Sequence, residues 1–512
     1  MTSTIKVDTI SENTSANGVA VDGVTLKDGA VGAAGTATSV AGIPLFTADN
    51  SIYTHDVSGT DSTASFNAAY GLTALDAITT GDKNTAIGYG AGGALNSGTL
   101  NVAVGHEALL VATDSVRNVA IGNLTLTAAT SAEDNIAIGY GAAAALTTGA
   151  NNIMIGKAAG DGFDTEDNNL GIGTAALGGS IAGGEFNVAV GNTSLDALTS
   201  GDDNTVVGYA AGGALTTGTN NVIVGKNTAG GAAMVGDHNT FVGGGAAYSA
   251  TDCDRNTVIG RDAAYSLTTG DDNVIIGEEA GKLITTGSSN VFVGANAGDG
   301  HDAETNNVGI GNDALGGAIN GGEYNVAIGN YSLDALTTAD SNTAVGYEAG
   351  SGVTTGGFNV FVGQIAGKGT TEGTGNVAVG RNSLVTNTSG SRNVALGQNA
   401  VEYPDTENDN VGIGYNALAG QIAGGEQNVV VGNNAGDALT SADGNVVMGH
   451  NAASALTTGG NNVIIGREAV QTGVLTGADN VVIGKKAGDT MTSAEQNVAI
   501  GKDALLAATS DN

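Results

Sequence analysis

The chain has 512 residues and a formal charge of −35, with 86 glycines, two prolines and no tryptophan. Glycine at roughly twice its usual share but without a Gly-X-Y register excludes collagen, and 41% apolar content gathered in short β-branched runs excludes disorder. So acidic a composition disfavours a nucleic-acid groove or an anionic membrane surface, and it keeps a long sheet-rich surface soluble.

Residues 1–45 open with Met1-Thr2-Ser3-Thr4-Ile5-Lys6-Val7-Asp8, which lacks the apolar core of a secretory signal. No run of 18 apolar residues occurs in the chain, so no membrane span is expected. Residues 3–11 and 18–29 alternate apolar and polar, as half-buried short strands do. We read 1–45 as an attachment segment, and 46–83 as a transition with degraded repeats at Asn50 and Asn67.

From residue 84 to 512 the pattern Asn-x-x-aliphatic-Gly recurs in 25 copies, from Asn84 to Asn497, each 17 or 18 residues after the one before. Numbered from the Asn, position 2 is Val, Ile, Leu or Thr, position 4 is aliphatic and position 5 is Gly. Position 8 is Ala in twenty copies and Ser or Thr in the rest. Representative copies are Asn84, Ile87, Gly88 and Ala91; Asn135, Ile138, Gly139 and Ala142; and Asn273, Ile276, Gly277 and Ala280.

A β-branched segment bounded by Asn and Gly reads as a short strand, and a glycine in every unit disfavours helix by about 1 kcal/mol each. The Asn suits a left-handed corner and an amide ladder, the Gly suits the opposite corner, and the Ala marks a tightly packed interior place. A second apolar segment, often ending Leu-Thr-Thr-Gly as at 146–149 and 456–459, reads as a second strand. The expected fold is therefore all-β: a parallel β-roll or β-solenoid of about 25 coils. At about 4.8 Å per coil, these would span roughly 120 Å.

Position 3 is apolar or glycine throughout, for example Ala86, Met154, Phe292 and Ile464. If positions 2 and 4 fill the coil, position 3 faces outward and forms an apolar stripe. That stripe predicts burial against other copies, a homo-oligomer whose simplest closed form is a trimer.

Three 18-residue units, starting at Asn169, Asn307 and Asn410, share one sequence and carry glycine at position 3. Gly171 follows Met154 and Gly309 follows Phe292 by one coil, a bump-and-hollow pairing that Gly412, after Ala395, lacks. An acidic loop precedes each unit, at 161–167, 299–304 and 402–407. These loops match neither the EF-hand nor the nonapeptide calcium spacing, so solvated decoration is favoured over Ca²⁺ binding.

No catalytic constellation is visible, so no enzyme, cofactor or metal is expected. His55, His106, His238, His301 and His450 are scattered and read as surface residues, and the lone Cys253 lies between two aspartates that disfavour a thiolate. Gly-rich strings such as 139–144 lack the Gly-Lys-Ser/Thr of a phosphate loop. The last coil stops at Asn512 without a cap, which predicts a tip, capping or next-fibre protein over its open strand edges.

The Asn-Val-Ala-Ile-Gly string, with Ala at position 8 as in Asn135–Gly139 and Ala142, resembles the coil motif of trimeric autotransporter adhesin heads. That resemblance implies a left-handed parallel β-roll of three chains. The secretion signal, coiled-coil stalk and anchor barrel of those adhesins are not visible. The opening Ser3-Thr4-Ile5-Lys6-Val7-Asp8-Thr9-Ile10, followed by Gly-Val-Thr-Leu-Lys-Asp-Gly, resembles openings of tail-fibre and appendage proteins of marine tailed phages. It implies docking to a virion tail or appendage protein, with a host surface receptor as a further partner. The alternatives are a cellular surface adhesin or extracellular filament subunit and, more remotely, an ice-binding coil or a polysaccharide-cleaving fibre.

Overall fold

A computed structural model describes residues 63–506, together with short strands between residues 19 and 53. Val19–Val21 pairs antiparallel with Val24–Leu26, in the alternating segment 18–29. The other alternating segment, 3–11, and His55 lie outside the described residues. Ser51–Tyr53 pairs in parallel with Ala68–Tyr70, with Ile52 opposite Ala68. This is one residue away from the register that Asn50 would set.

The chain forms two compact units, Met1–Asn220 and Asn221–Asn512. Both are built from the same coil, and each coil contributes one three-residue strand. In the first unit these run from Ala68–Tyr70 to Thr205–Val207, and in the second from Val222–Val224 to Val498–Ile500. Within each unit every strand lies parallel to the strand of the next coil and in strict register: Val119 opposite Ile136, Ala120 opposite Ala137, Ile121 opposite Ile138. The fold is all-β, a parallel β-solenoid of about 25 coils. The copy at Asn67 keeps the register of the repeat, since Ala68–Tyr70 pairs residue for residue with Thr85–Ile87.

The expected second strand is absent: the apolar segment from position 6 to position 14 is a train of turns. Its conformation follows from left-handed residues at positions 5, 7 and 9. In the coil of Asn84 these are Gly88, Gly90 and Gly92, with φ of 133°, 65° and 58°. Each closes a turn with an i→i+3 bond, as Ala91 N donates to Gly88 O and Leu95 N to Gly92 O. The turns still pair coil to coil, with Leu75 N donating to Ala91 O and Gly92 N to Ala108 O. Backbone groups are therefore satisfied without a strand.

Position 5 must be glycine on two counts. Its φ lies between 128° and 146° in the repeats, and an added Cβ would meet the carbonyl of the next coil's position 5, at 2.4 Å for Gly88. The Asn is not itself left-handed. That conformation falls on the residue before it, such as Lys83 (φ 59°), Arg117 (59°) and Asp134 (56°). At this place successive coils carry surface ion pairs, Arg117 Nε–Asp134 at 2.5 Å and Arg255 Nε–Asp272 at 2.7 Å.

The core is a column inside each unit, filled from positions 1, 3, 8, 9, 12 and 15. In the coil of Asn101 these are Asn101, Ala103, Ala108, Leu109, Ala112 and Ser115, all buried.

Candidate functional site

The strand faces are the reverse of the sequence expectation. Position 3 is buried in every coil, whereas positions 2 and 4 flank it as half-buried or exposed residues. Val258 is 0% exposed and its neighbour Ile259 is 38% exposed. The physical reason is width. The coil interior at position 3 accepts anything from Gly to Phe because positions 9 and 12 adjust to it, as Phe361 packs beside Gly367 and Ala103 beside Leu109. The bump-and-hollow pairs therefore meet inside the column. Gly171 lies opposite Met154, whose Sδ an added Cβ would approach to 2.8 Å, and Gly309 lies opposite Phe292. The third hollow, Gly412, is filled instead by Val401 from position 9 of the preceding coil.

The outward face is consequently made of positions 2 and 4. Across all 25 copies these are Val, Ile, Leu, Met or Thr, and no charged residue occurs at either place in a chain of net charge −35. In the first unit Ile87 is 45% and Val207 40% exposed; in the second Val222 is 39% and Met448 46% exposed. Each unit thus shows two columns of mostly β-branched side chains, flanking the buried position 3 on a parallel ladder. Ile87, Ile138 and Ile276 belong to this face, so the expected stripe exists but on different residues.

Behind the face runs the amide ladder expected of the Asn. The Oδ1 of Asn118 accepts from the backbone N of Asn135 at 3.0 Å and from its Nδ2 at 3.0 Å. Asn135 Nδ2 also donates across its own coil to Gly149 O at 2.8 Å. Asn84 and Asn273 do the same, to Gly98 O at 2.8 Å and Gly287 O at 2.9 Å. Each side chain ties two coils together and braces one, and leaving such a buried group unpaired costs about 1–3 kcal/mol. Ala91, Ala142 and Ala280 are fully buried at position 8. Where Ser or Thr replaces Ala, its hydroxyl bonds a position-5 carbonyl, Ser194 in its own coil and Thr125 in the next.

In the acidic loops Asp164, Asp302 and Asp405 are exposed, as solvated decoration would be, but one glutamate of each loop is not. Glu166, Glu304 and Glu407 are buried at position 15, which otherwise holds a small residue in most coils. Glu166 Oε2 accepts from the backbone N of Asp164 (2.7 Å) and Thr165 (3.0 Å), and its Oε1 accepts from Gly183 N (3.0 Å) in the following coil. Glu407 repeats this with Asp405, Thr406 and Gly424. The donor glycines sit in the 18-residue coils, so the extra residue is a loop clamped by the glutamate below it. A Glu at position 15 followed by an 18-residue unit is the signal that was available in the sequence. The aspartates of these loops, Asp164 and Asp405, accept the hydroxyls of Thr147 and Thr388. Among the described residues no group of three His, Cys, Asp or Glu is arranged to hold a metal ion.

His301 departs from the surface reading: it is fully buried at position 12, its ring 4.6 Å from that of Phe292. His106 is exposed and stacks on Tyr89 at 5.2 Å. Cys253 is buried at position 15, and burial together with Asp271, Asp254 and Asp252 pushes its thiol up to about 12. The first threonine of the Thr-Thr corner is spent within the fold, since Thr268 Oγ1 donates to Thr285 O and Thr354 Oγ1 to Thr371 O. No helix among the described residues is long and apolar enough to cross a membrane. No protein-family model and no curated protein sequence matches the chain.

Proposed function

We propose that the chain is the shaft of a structural fibre, assembled from several copies of itself and used to attach a virion to its host. The observation that carries this reading is the uncharged outward face. Solvation of a −35 chain comes from its charged loops, while two columns of Val, Ile and Thr are kept free of charge coil after coil. An apolar strip of that continuity marks an interaction surface. A second copy matches it best, because the ladder and its repeat are the same on both sides of the contact. In a trimer each strand face turns toward a common axis.

Support for the virion comes from the opening of the chain, residues 3–28, with its resemblance to phage tail-fibre and appendage openings. In this reading 1–45 bind the tail or appendage, the coils form the shaft, and a tip or next-fibre protein joins at the far end. In this reading the function is mechanical and adhesive.

Sedimentation equilibrium of the purified chain tests the assembly: a mass of three chains is expected, and a stable folded monomer overturns it. Negative-stain images of the same sample should show slender particles. Neighbouring genes for tail or capsid proteins distinguish a virion fibre from a cellular adhesin.

A further inference from the structure

A repeat supplies its own control, because each coil shows what its neighbours would be without a special task. Position 6 faces solvent at the first turn and carries a side chain in every copy but one: Tyr89, Lys157, Lys226, Arg261, Glu278 and others, against the single glycine, Gly244. Position 10 is aromatic in only two copies, Tyr248 and Tyr265, and these are the same coil and the next. The departures are therefore adjacent, and together they shape a notch of about 380 Å³ open to solvent. Its lining is Lys226 and Asn227 from one coil, Gly244, Gly245 and Tyr248 from the second, and Arg261, Asp262 and Tyr265 from the third.

The chemistry of this notch is specific. The two tyrosine rings stack at 5.0 Å and 9°, and a Cβ on Gly231 would meet the Tyr248 ring at 2.3 Å. Both faces of Tyr248 are thus occupied, and it offers the notch an edge and a phenol rather than a stacking platform. Lys226 makes no ion pair among the described residues, whereas Arg261 is held by Asp262 (2.7 Å), Glu278 and Glu279 (3.7 Å). The rim therefore presents an ammonium, an amide, two phenols and a carboxylate, donors and acceptors together, with the basic charge largely cancelled. A free anion finds the Asp262 carboxylate on the same rim as Lys226, and the lining is divided almost evenly between polar and apolar surface, as a hydroxylated ring with C–H faces requires. A ring bearing several hydroxyls satisfies both kinds of partner, and the size lies within the range of small-ligand clefts, about 300–1,000 Å³.

We infer that the Gly244 notch is a binding site for an uncharged saccharide, one hexose unit of a surface glycan. The site belongs to the folded coils alone, so it stands or falls separately from self-association and from docking to a virion.

The test uses the full chain on immobilised oligosaccharides of glucose, galactose and mannose, with the matching uronic acids alongside. Gly244→Gln restores an ordinary position-6 side chain. Gly244 is exposed, its φ is not left-handed, and the nearest atom to an added Cβ is Lys226 O at 3.8 Å, so folding is unaffected. Ala295→Gln places the same side chain at position 6 of another coil as a control. The expected result is binding of a neutral oligosaccharide that falls at least tenfold in G244Q and is unchanged in A295Q. Binding to no neutral sugar, equal binding by G244Q, or retention of uronic acids alone that salt elutes overturns the assignment.

Discussion

Inside the second unit a single imidazole occupies a place that leucine, isoleucine or phenylalanine fills in several other coils. His301 packs on Phe292, and neither ring nitrogen has a hydrogen-bond partner. Burial pushes its pKa down to about 3, so the native state holds it neutral. Unfolding frees it to take a proton near pH 6.5, the ordinary value, and the unfolded state then binds more protons than the native one. Its contribution is unchanged above pH 6.5 and turns against folding as pH falls from there toward about 3. Asp299, raised by burial and by the charge of Asp313, acts in the opposite sense. The clean measurement is therefore a difference: His301→Leu should melt higher than the native chain, with a gap that widens as pH falls from 7 to 4. A gap independent of pH would mean the imidazole is solvated.

Within a coil, three inward places share one volume. Where position 3 is Ala or Gly, position 9 is commonly leucine, as in Ala103–Leu109, Ala120–Leu126, Gly171–Leu177 and Ala378–Leu384. Where position 3 is large, position 9 is commonly glycine, as in Met154–Gly160, Phe292–Gly298 and Phe361–Gly367. Ala344–Gly350 departs from the rule because Phe361 leans in from the next coil, 2.8 Å from where a Gly350 Cβ would lie. Phe361→Ala alone should cost about 3–5 kcal/mol. Gly367→Leu alone should also destabilise, since an added Cβ meets the Phe361 ring at 2.3 Å. The double variant, which recreates the Ala103–Leu109 arrangement, should recover about 1–3 kcal/mol of the summed loss by urea unfolding. The period, the Asn ladder, the corner glycine and the interior alanine were all legible in the sequence. The strand faces were not, because alternation carries no information when positions 2, 3 and 4 are all apolar. What marks the interior is the exchange of size between positions 3 and 9, a relation between residues rather than a property of either. The turn train was hidden for a similar reason, since Leu109 and Leu126 adopt left-handed backbone (φ 56° and 50°) that their side chains do not announce.

For the whole molecule, the corrected faces relocate the surface on which the proposed self-association would depend. Ile259→Lys adds charge on the outward column and should leave the β circular-dichroism signal intact while lowering the sedimenting mass. Val258→Lys, one residue away, buries an ammonium inside the coil and should disrupt folding itself. The opposite pattern would restore the inverted assignment.

The offset of 17 or 18 residues between register partners of successive coils has a consequence for biosynthesis. Within each unit, the loop that must close to add a coil is the same length for the first coil and for the last, so its entropic cost does not grow with the chain. A nascent coil leaving the ribosome meets the exposed edge of the coil made just before it. A chain of several hundred residues with parallel pairing throughout can therefore be threaded into shape as it is translated, one short closure at a time, without the long-range search that makes parallel sheets slow to form.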